Sequence, residues 1–476
     1  MRFFCVLFFF IFPLCLLSQH VRENQIKKVY YISSSLGSNS NVGTTKDSPL
    51  RSIAAIKEKE FVKIRLNCGD VFFEHIEGIT NSIIESYGSG DKPIVCGFKI
   101  LKDANAWVYD AANNIWTIDL SKEEHFKGYL QSNNKPNIMF NNVGIIYDPN
   151  SDKIYGNNVK DKTYIHCEGD FYTNSFFQMD SVKQSPFNIL SLKIDKDPRT
   201  IKNLCFSMGA HGISNSNGCI IRNISFVGFS RHGVANAKDA LIEHCQFDLI
   251  GGAIQVGYKY WVRYGNGIEI GGSSENVCVQ KCIISRTYDC GCTIQGTVMK
   301  GFQPKNIHFR NNILYKCRQA FEHFINPSGF DENPQYINCE FTGNTCFFMG
   351  ENEFGTPQQR DANILSYENA DRNVIIKSNT FYGASHYCGY TKPLGMNNNK
   401  VYIYKGQYLN HYHGQKNYPT IYADGEESIS KYKEWSGDNS KIVIIEKGSA
   451  KDVKMKKRIE KKVGFQKPEL HLERVM

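Results

Sequence analysis

Apolar and polar residues alternate in short runs along the middle of this chain, and one eight-residue run recurs six times. The copies lie at 219–226 (CIIRNISF), 240–247 (ALIEHCQF), 277–284 (VCVQKCII), 307–314 (IHFRNNIL), 334–341 (PQYINCEF) and 374–381 (VIIKSNTF). Position three reads Ile, Ile, Val, Phe, Tyr, Ile; position six Ile, Cys, Cys, Asn, Cys, Asn; position eight Phe, Phe, Ile, Leu, Phe, Phe. Such alternation predicts a strand. A lone short strand cannot bury its apolar face, so repeated strands must stack on one another. The starts at 219, 240, 277, 307, 334 and 374 lie 21, 37, 30, 27 and 40 residues apart. The shortest interval is about one coil of a parallel β-helix, and the longer ones are the same coil with loops inserted. The predicted fold class is therefore all-β, a solenoid whose loops overhang one face as a cleft.

Before the repeats, 29–56 (VYYISSSLGSNSNVGTTKDSPLRSIAAI) predicts a strand, a Gly/Ser/Asn-rich loop and a short helix, followed by strands near 62–66, 83–86 and 94–98. The stretch 30–53, with LNCGDVFF (66–73) and IIESYGSGDKPIVCGF (83–98), resembles the N-terminal cap and first coils of the right-handed parallel β-helix carbohydrate-active enzymes of gut and marine bacteria, the Bacteroidetes type. The resemblance runs on through the repeats to about 381. It implies a right-handed parallel β-helix with an N-terminal cap and a C-terminal extension. It leaves the reaction open, because that superfamily holds both polysaccharide lyases and glycoside hydrolases. Residues 107–193 break the rhythm and read as a β-rich insertion. The organisation expected is a signal peptide at 1–18, a catalytic β-helix at 19–385, and a last coil, cap and basic tail at 386–476, since an uncapped solenoid exposes strand edges.

Composition refines this picture. Arg2 followed by the apolar run 3–17 reads as a secretory signal, so the protein is expected to be exported, periplasmic or at the cell surface of a bacterium, with no membrane span. Two of the 16 cysteines fall in that leader. Cys245, Cys282 and Cys339 are expected to share one inward column as buried thiols, with disulfides as the alternative. No CxxC array suggests zinc. Lys and Arg exceed Asp and Glu by 9, much of it in the tail 447–462 (KGSAKDVKMKKRIEKK). With no nucleic-acid motif, the partner expected is an acidic polysaccharide, bound by a monomer.

Candidate chemistry gathers outside the repeats. His211-Gly-Ile-Ser-Asn and His232-Gly-Val-Ala-Asn match at 21 residues, which places the two histidines one coil apart. Ala235, Gln255, Gln295 and Glu322 are expected to face outward in adjacent coils, with His323 beside Glu322. The inserted loop 257–267 (GYKYWVRYGNG) brings Tyr258, Lys259, Trp261, Arg263 and Tyr264, aromatic faces for sugar rings and cations for carboxylate or sulfate. Glu269 follows in the strand GIEIGG, and Arg286, Tyr288 and Asp289 form a turn that would overhang the same stripe.

Two chemistries fit. β-Elimination at a uronic acid needs a base, an acid and a group that neutralises the carboxylate. The expectation assigns Arg263 as neutraliser, Tyr264, His211 or His232 as base and acid, and Glu322 and His323 to the catalytic set. Tyr258, Lys259, Trp261, Gln255, Glu269, Arg286, Tyr288, Asp289 and Gln295 are assigned to substrate. A glycosaminoglycan such as chondroitin or hyaluronan is favoured. Hydrolysis instead needs two carboxyl groups, roughly 5–5.5 Å apart for retention or 6.5–9.5 Å for inversion. Glu269, Asp289 and Glu322 on coils about 4.8 Å apart could supply them. Neither the paired-Asp and Gly-His-Gly pattern of polygalacturonases nor the Asp cluster of calcium-dependent pectate lyases occurs. A metal-independent mechanism is therefore favoured and no cofactor is expected to be required, with Ca²⁺ as the alternative. A non-catalytic glycan-binding solenoid is the third class.

Overall fold

The computed structural model describes residues 21–101, 103–120, 143–173, 189–207, 209–255, 262–327, 333–351, 354, 361–367, 373–389, 395–411 and 418–463. The leader expected at 1–18 lies outside them. Three ten-stranded sheets dominate, and the chain visits them in turn. One full circuit runs from Ala240–Glu243 in the first sheet to Gln246–Ile250 in the second and Ile268–Gly271 in the third, then returns to the first at Glu275–Gln280. Within the first and second sheets every pairing is parallel; the third ends in one antiparallel pair, Tyr408–His411 with Ile421–Tyr422. The architecture is all-β with long parallel sheets. Two α-helices, Glu426–Ser436 and Ala450–Val463, are described, both at the C-terminal end. Among the described residues no helix is long and apolar enough to cross a membrane.

Stacking turns the repeat positions into columns. Position three becomes Ile221–Ile242–Val279–Phe309–Phe341–Ile376, and position eight becomes Phe226–Phe247–Ile284–Leu314–Cys346–Phe381. All are buried in one continuous core, each large side chain contributing roughly 1.5–3 kcal/mol. The fifth copy is corrected by this register. Phe341, not Tyr336, pairs with Phe309, so the true copy is 339–346 (CEFTGNTC) and the expected phase was five residues early. Cys339 therefore leaves the column expected for it, and Asn344 takes position six.

That correction reveals a polar seam along the stacked sheets. At the corner between the first and second sheets, Asn312, Asn344, Asn379 and Asn399 stack, each about 1% exposed. Each Oδ1 accepts the backbone N–H of the preceding coil: Cys282 N to Asn312 at 2.9 Å, Asn312 N to Asn344 at 2.9 Å, Asn344 N to Asn379 at 2.8 Å and Asn379 N to Asn399 at 2.9 Å. Each Nδ2 donates to a strand carbonyl, those of Val279, Phe309, Phe341 and Ile376. The corner backbone thus turns inside the core without orphaned donors. Residues one step earlier take left-handed φ, among them Lys281 (54°), Asn311 (55°), Gly343 (66°) and Ser378 (58°), which makes the turn sharp enough for the Asn side chains to point inward.

The second-to-third corner is where the coils open. The insertion leaves after Ile94–Cys96 and returns at Ile213–Ser214, carrying its own five-stranded sheet and a core around Trp107, Trp116, Phe171 and Phe206. A hairpin, Ala253–Ile254 against Arg263–Tyr264, and Phe354 lie at the same corner in later coils. At the far end the basic tail is not a merely solvated helix: Asp452 accepts the hydroxyls of Tyr382 and Tyr404, and Ile459 packs on Phe347 and Phe348. The 14 described cysteines are all free thiols.

Replacing Asn344 with Ala should leave the backbone N–H of Asn312 and the carbonyl of Phe309 unpaired in the core. A loss of roughly 2 kcal/mol in denaturant unfolding is expected. An unchanged midpoint would contradict the structural role given to the seam.

Candidate functional site

The third sheet carries one column that faces away from the core along its length: Glu77, Ser214, Ala235, Glu269, Thr293, Glu322, Leu365, Gly389 and His411; Thr293, Glu322 and Leu365 are themselves buried. Glu269 and Glu322 therefore share a face two coils apart. Gln295 lies farther along that face, in register with Gly271 and Phe324 rather than with Glu322. His323 departs from expectation. Strand alternation sends it to the side opposite Glu322, where its ring stacks on Phe321 and meets Tyr336 edge-on.

Where the strands begin, His211 and His232 stack in adjacent coils with rings 5.1 Å apart and 3° from parallel. The glycine after each is needed for that approach: a Cβ on Gly212 would lie 2.6 Å from the carbonyl of Gly233, and one on Gly233 2.4 Å from that of Gly267. Backbone donors then set the ring tautomers. His232 N–H donates to His211 Nδ1 at 3.2 Å, and Asn266 N–H donates to His232 Nδ1 at 3.0 Å. An Nδ1 that accepts leaves the proton of a neutral imidazole on Nε2. Burial, with the neighbouring imidazole, pushes His211 down to about 2; burial also lowers His232, against the pull of Glu269. Both rings are neutral donors at Nε2, not bases.

Glu269 receives that donation. His232 Nε2 lies 3.2 Å from Oε2, Asn266 Nδ2 donates to it at 2.8 Å and Gln295 Nε2 at 2.7 Å. An oxygen that accepts three donors cannot itself carry a proton, and Oε1 has no protein partner among the described residues. Beside it, Arg231 Nε donates to the hydroxyl of Tyr264 at 2.6 Å, and the Tyr264 ring meets His232 edge-on at 5.2 Å. Burial pushes the Tyr264 phenol up while Arg231 pulls it back. These groups, with Ala235, Asn236 and Gln255, line a cleft of about 210 Å³.

Several expected residues stand elsewhere. Arg263 is buried and does not line this cleft. Its Nε donates to the carbonyl of Gly252 at 2.8 Å, Nη1 to Phe354 at 3.1 Å and Nη2 to Gly144 at 3.0 Å, with its face over Tyr288. The antiparallel hairpin turns it inward while its neighbour Tyr264 faces the cleft, so it ties the insertion, the hairpin and Phe354 together. That corrects its role as neutraliser of substrate. Arg286 is likewise consumed, paired with Asp248 and Asp152 in the interior, and Tyr288 is packed against Phe354. Asp289 sits at the corner with Arg318, at 3.7 Å, and Arg318 reaches Asp361 at 3.4 Å. Burial pushes Asp361 up to about 6 against that pull. Tyr258, Lys259 and Trp261 lie outside the described residues.

Arg231, Asn266, Arg318 and Asp361 carry no role in the sequence reading. Arg231 had the clearest signal, since it abuts the His-Gly motif, and parallel stacking brings the residue before each histidine to the same corner. Among the described residues, no group of three or more His, Cys, Asp or Glu could hold a metal ion.

No family model matches the chain, and no curated protein matches it. Among solved structures it is similar to a complex of XylC with xylose, at 10% identity and TM-score 0.46 over 87% of this chain and 82% of that one. It is similar to a glycoside hydrolase at 10% identity and TM-score 0.40, over 80% of this chain and 94% of that one. It is also similar to the GH136 lacto-N-biosidase of Eubacterium ramulus, at 12% identity and TM-score 0.29 over 88% of this chain and 67% of that one. At such scores and identities none of these transfers an activity.

Two stability measurements check the geometry. Arg263→Ala should cost roughly 3 kcal/mol, because three carbonyls lose their donor together; a cost near zero would contradict the clamp. Between the unfolded histidine value, about 6.5, and the folded value of His211, about 2, the unfolded chain binds a proton that the folded chain does not. Stability should therefore fall as pH drops below about 6.5, and His211→Gln should flatten that slope. An unchanged slope in the variant would contradict the neutral buried ring.

Proposed function

We propose that the protein is an exported glycan-cleaving enzyme that hydrolyses a glycosidic bond in the cleft of the third sheet. The observation that carries the reading is Glu269, a carboxylate pinned through Oε2 by three donors, with Glu322 on the same outward column two ladder steps away, about 9–10 Å. Two ladder steps stand at the upper edge of the roughly 6.5–9.5 Å carboxyl separation of inverting enzymes, so the Glu322 side chain must lean past Thr293 toward Glu269 to hold a water between them. Glu269 takes the proton of the water that attacks the anomeric carbon. Glu322 gives its proton to the departing glycosidic oxygen as the C–O bond breaks. His211 Nε2–H and the Tyr264 hydroxyl, which is itself held by Arg231, are placed to donate to or accept from sugar hydroxyls.

Electrostatics ranks hydrolysis above elimination. Among the described residues Arg231 and Glu269 line the cleft, Asp289 acts on His232 and is joined through Arg318 to Asp361, Glu322 stands two ladder steps along the column, and both histidines are neutral. A β-elimination must accumulate negative charge on a substrate that already carries a carboxylate, and this surplus of carboxyl groups opposes it. An oxocarbenium-like transition state is positive, and the same groups favour it.

One observation keeps elimination of a uronic-acid polymer as the second reading. The Arg231–Tyr264 pair is the arrangement that would stabilise a tyrosinate base, with Arg231 in place of Arg263 as neutraliser.

The purified chain, incubated with neutral and acidic polysaccharides, should release reducing ends without the ultraviolet absorbance of an unsaturated uronate. Glu269→Gln should lower kcat by roughly 100- to 10,000-fold with the thermal midpoint retained. Full activity in Glu269→Gln would overturn the assignment. An unsaturated product, lost in Tyr264→Phe, would replace hydrolysis by elimination.

A further inference from the structure

The basic excess of the chain is concentrated in its last described helix. Residues 447–462 carry 8 Lys and Arg against 2 Asp and Glu, a surplus of 6 out of the chain's 9. The helix Ala450–Val463 is no free appendage. Its inner side lies on the outer face of the second sheet, where Ile459 packs with Phe347, Phe348, Tyr382 and Tyr404, and Met455 joins the same cluster. The acidic side chain of its first turn is spent there. Asp452 is fully buried and accepts the hydroxyl of Tyr404 at 3.1 Å and the backbone N–H of Gly448 at 2.7 Å. Lys456 is spent beside it, 3.1 Å from Asp452.

What remains outward is a cationic face. Lys451, Lys454, Lys457, Arg458 and Lys461 are all exposed, and none of them forms an ion pair or a hydrogen bond among the described residues. Lys451, Lys454, Arg458 and Lys461 follow at steps of three, four and three, which sets them in a row along one side of the helix. The row spans about 15 Å, and Lys457 flanks it. Like charges held this close repel one another, a cost that a bound polyanion removes. The geometry also selects the partner. An interfacial helix binds a bilayer by sinking its apolar side into it, and here that side is already buried on the second sheet. A row of ammonium and guanidinium groups on a fixed backbone matches instead a strand with anionic groups at regular intervals.

We infer that the outward face of this helix is a docking surface for an acidic polysaccharide strand, one whose sugars carry carboxylate or sulfate at regular intervals. The surface lies over the second sheet, whereas the cleft of Glu269 lies on the third. A strand held here is held outside the cleavage site, and its docking needs no turnover. The inference therefore stands apart from the hydrolase reading. It gives the protein a second, non-cleaving hold on a polyanionic matrix, whichever bond the cleft breaks.

The test is equilibrium binding of chondroitin sulfate, hyaluronan and neutral dextran to the full chain at low salt, beside vesicles of phosphatidylcholine and phosphatidylserine. Lys454→Gln/Lys457→Gln/Lys461→Gln removes three charges from the face, and Lys46→Gln/Lys57→Gln/Lys300→Gln removes three exposed lysines elsewhere. Both sets are also measured in a Glu269→Gln background, so that turnover does not consume the ligand. The expected result is that at least one acidic polysaccharide binds and dextran does not. The helix variant should bind it about tenfold more weakly, the control variant within about twofold of the parent, and salt should remove the difference. An equal loss in both variants would reduce the effect to net charge and overturn the inference. So would an undiminished affinity in the helix variant, no binding of either acidic polysaccharide, or a lysine dependence seen with the vesicles alone. All six lysines are exposed, and retained thermal midpoints in both variants separate binding from folding.

Discussion

Everything in this protein depends on one demand: a backbone that turns a corner inside an apolar core must find partners for its amides. The stacked Asn312, Asn344, Asn379 and Asn399 meet that demand at the first-to-second corner, each side chain serving both the coil before it and a strand carbonyl. Because the stack repeats at a fixed position, it fixes the phase of the coils. From Asn312 onward the apolar columns keep that phase, while the earlier coils hold it with Ile224, Cys245 and Cys282 buried at the same position. A seam of neutral amides can do this where charged groups could not, since no desolvated charge has to be compensated at each level.

With one corner sealed in this way, another is free to vary. The insertion, the hairpin and Phe354 all lie between the second and third sheets, and Arg263 fastens them by donating to a carbonyl of each. A guanidinium suits such a junction, since its donors spread in a plane and three separate chain segments can be tied at once. The cleft is bounded by this junction on one side and by the outward column on the other. Arg231, His211 and His232 line it from the strand starts, Tyr264 and Gln255 from the hairpin, and Glu269 from the column.

The fold was legible because period-two alternation and a recurring block are imprinted at every coil. The phase of one coil was not. Tyr336 and Phe341 are both aromatic and five residues apart, and alternation alone does not choose between them. The turn residues Asn338 and Gly343, both at left-handed φ, were the signal that could have done so. The site was legible in part. The histidine stack followed from the 21-residue match, and the outward face of Glu269 from its apolar neighbours. Arg263 misled because a hairpin reverses the facing of its residues without any mark in composition. Glu322 and His323 were grouped although adjacent strand residues point to opposite sides. Arg231 was passed over because its importance is created by stacking, which brings it to the hydroxyl of Tyr264 from 33 residues away in sequence.

The central claim is that two carboxyl groups two coils apart in one column act across a water. The most direct measurement is the anomeric configuration of the first product released, followed by proton NMR from the start of the reaction. Inversion at the cleaved centre is the predicted result. Retention would require a closer pair of groups than Glu269 and Glu322, and a product with an unsaturated, non-reducing terminal uronate would mean that the bond is broken by elimination instead.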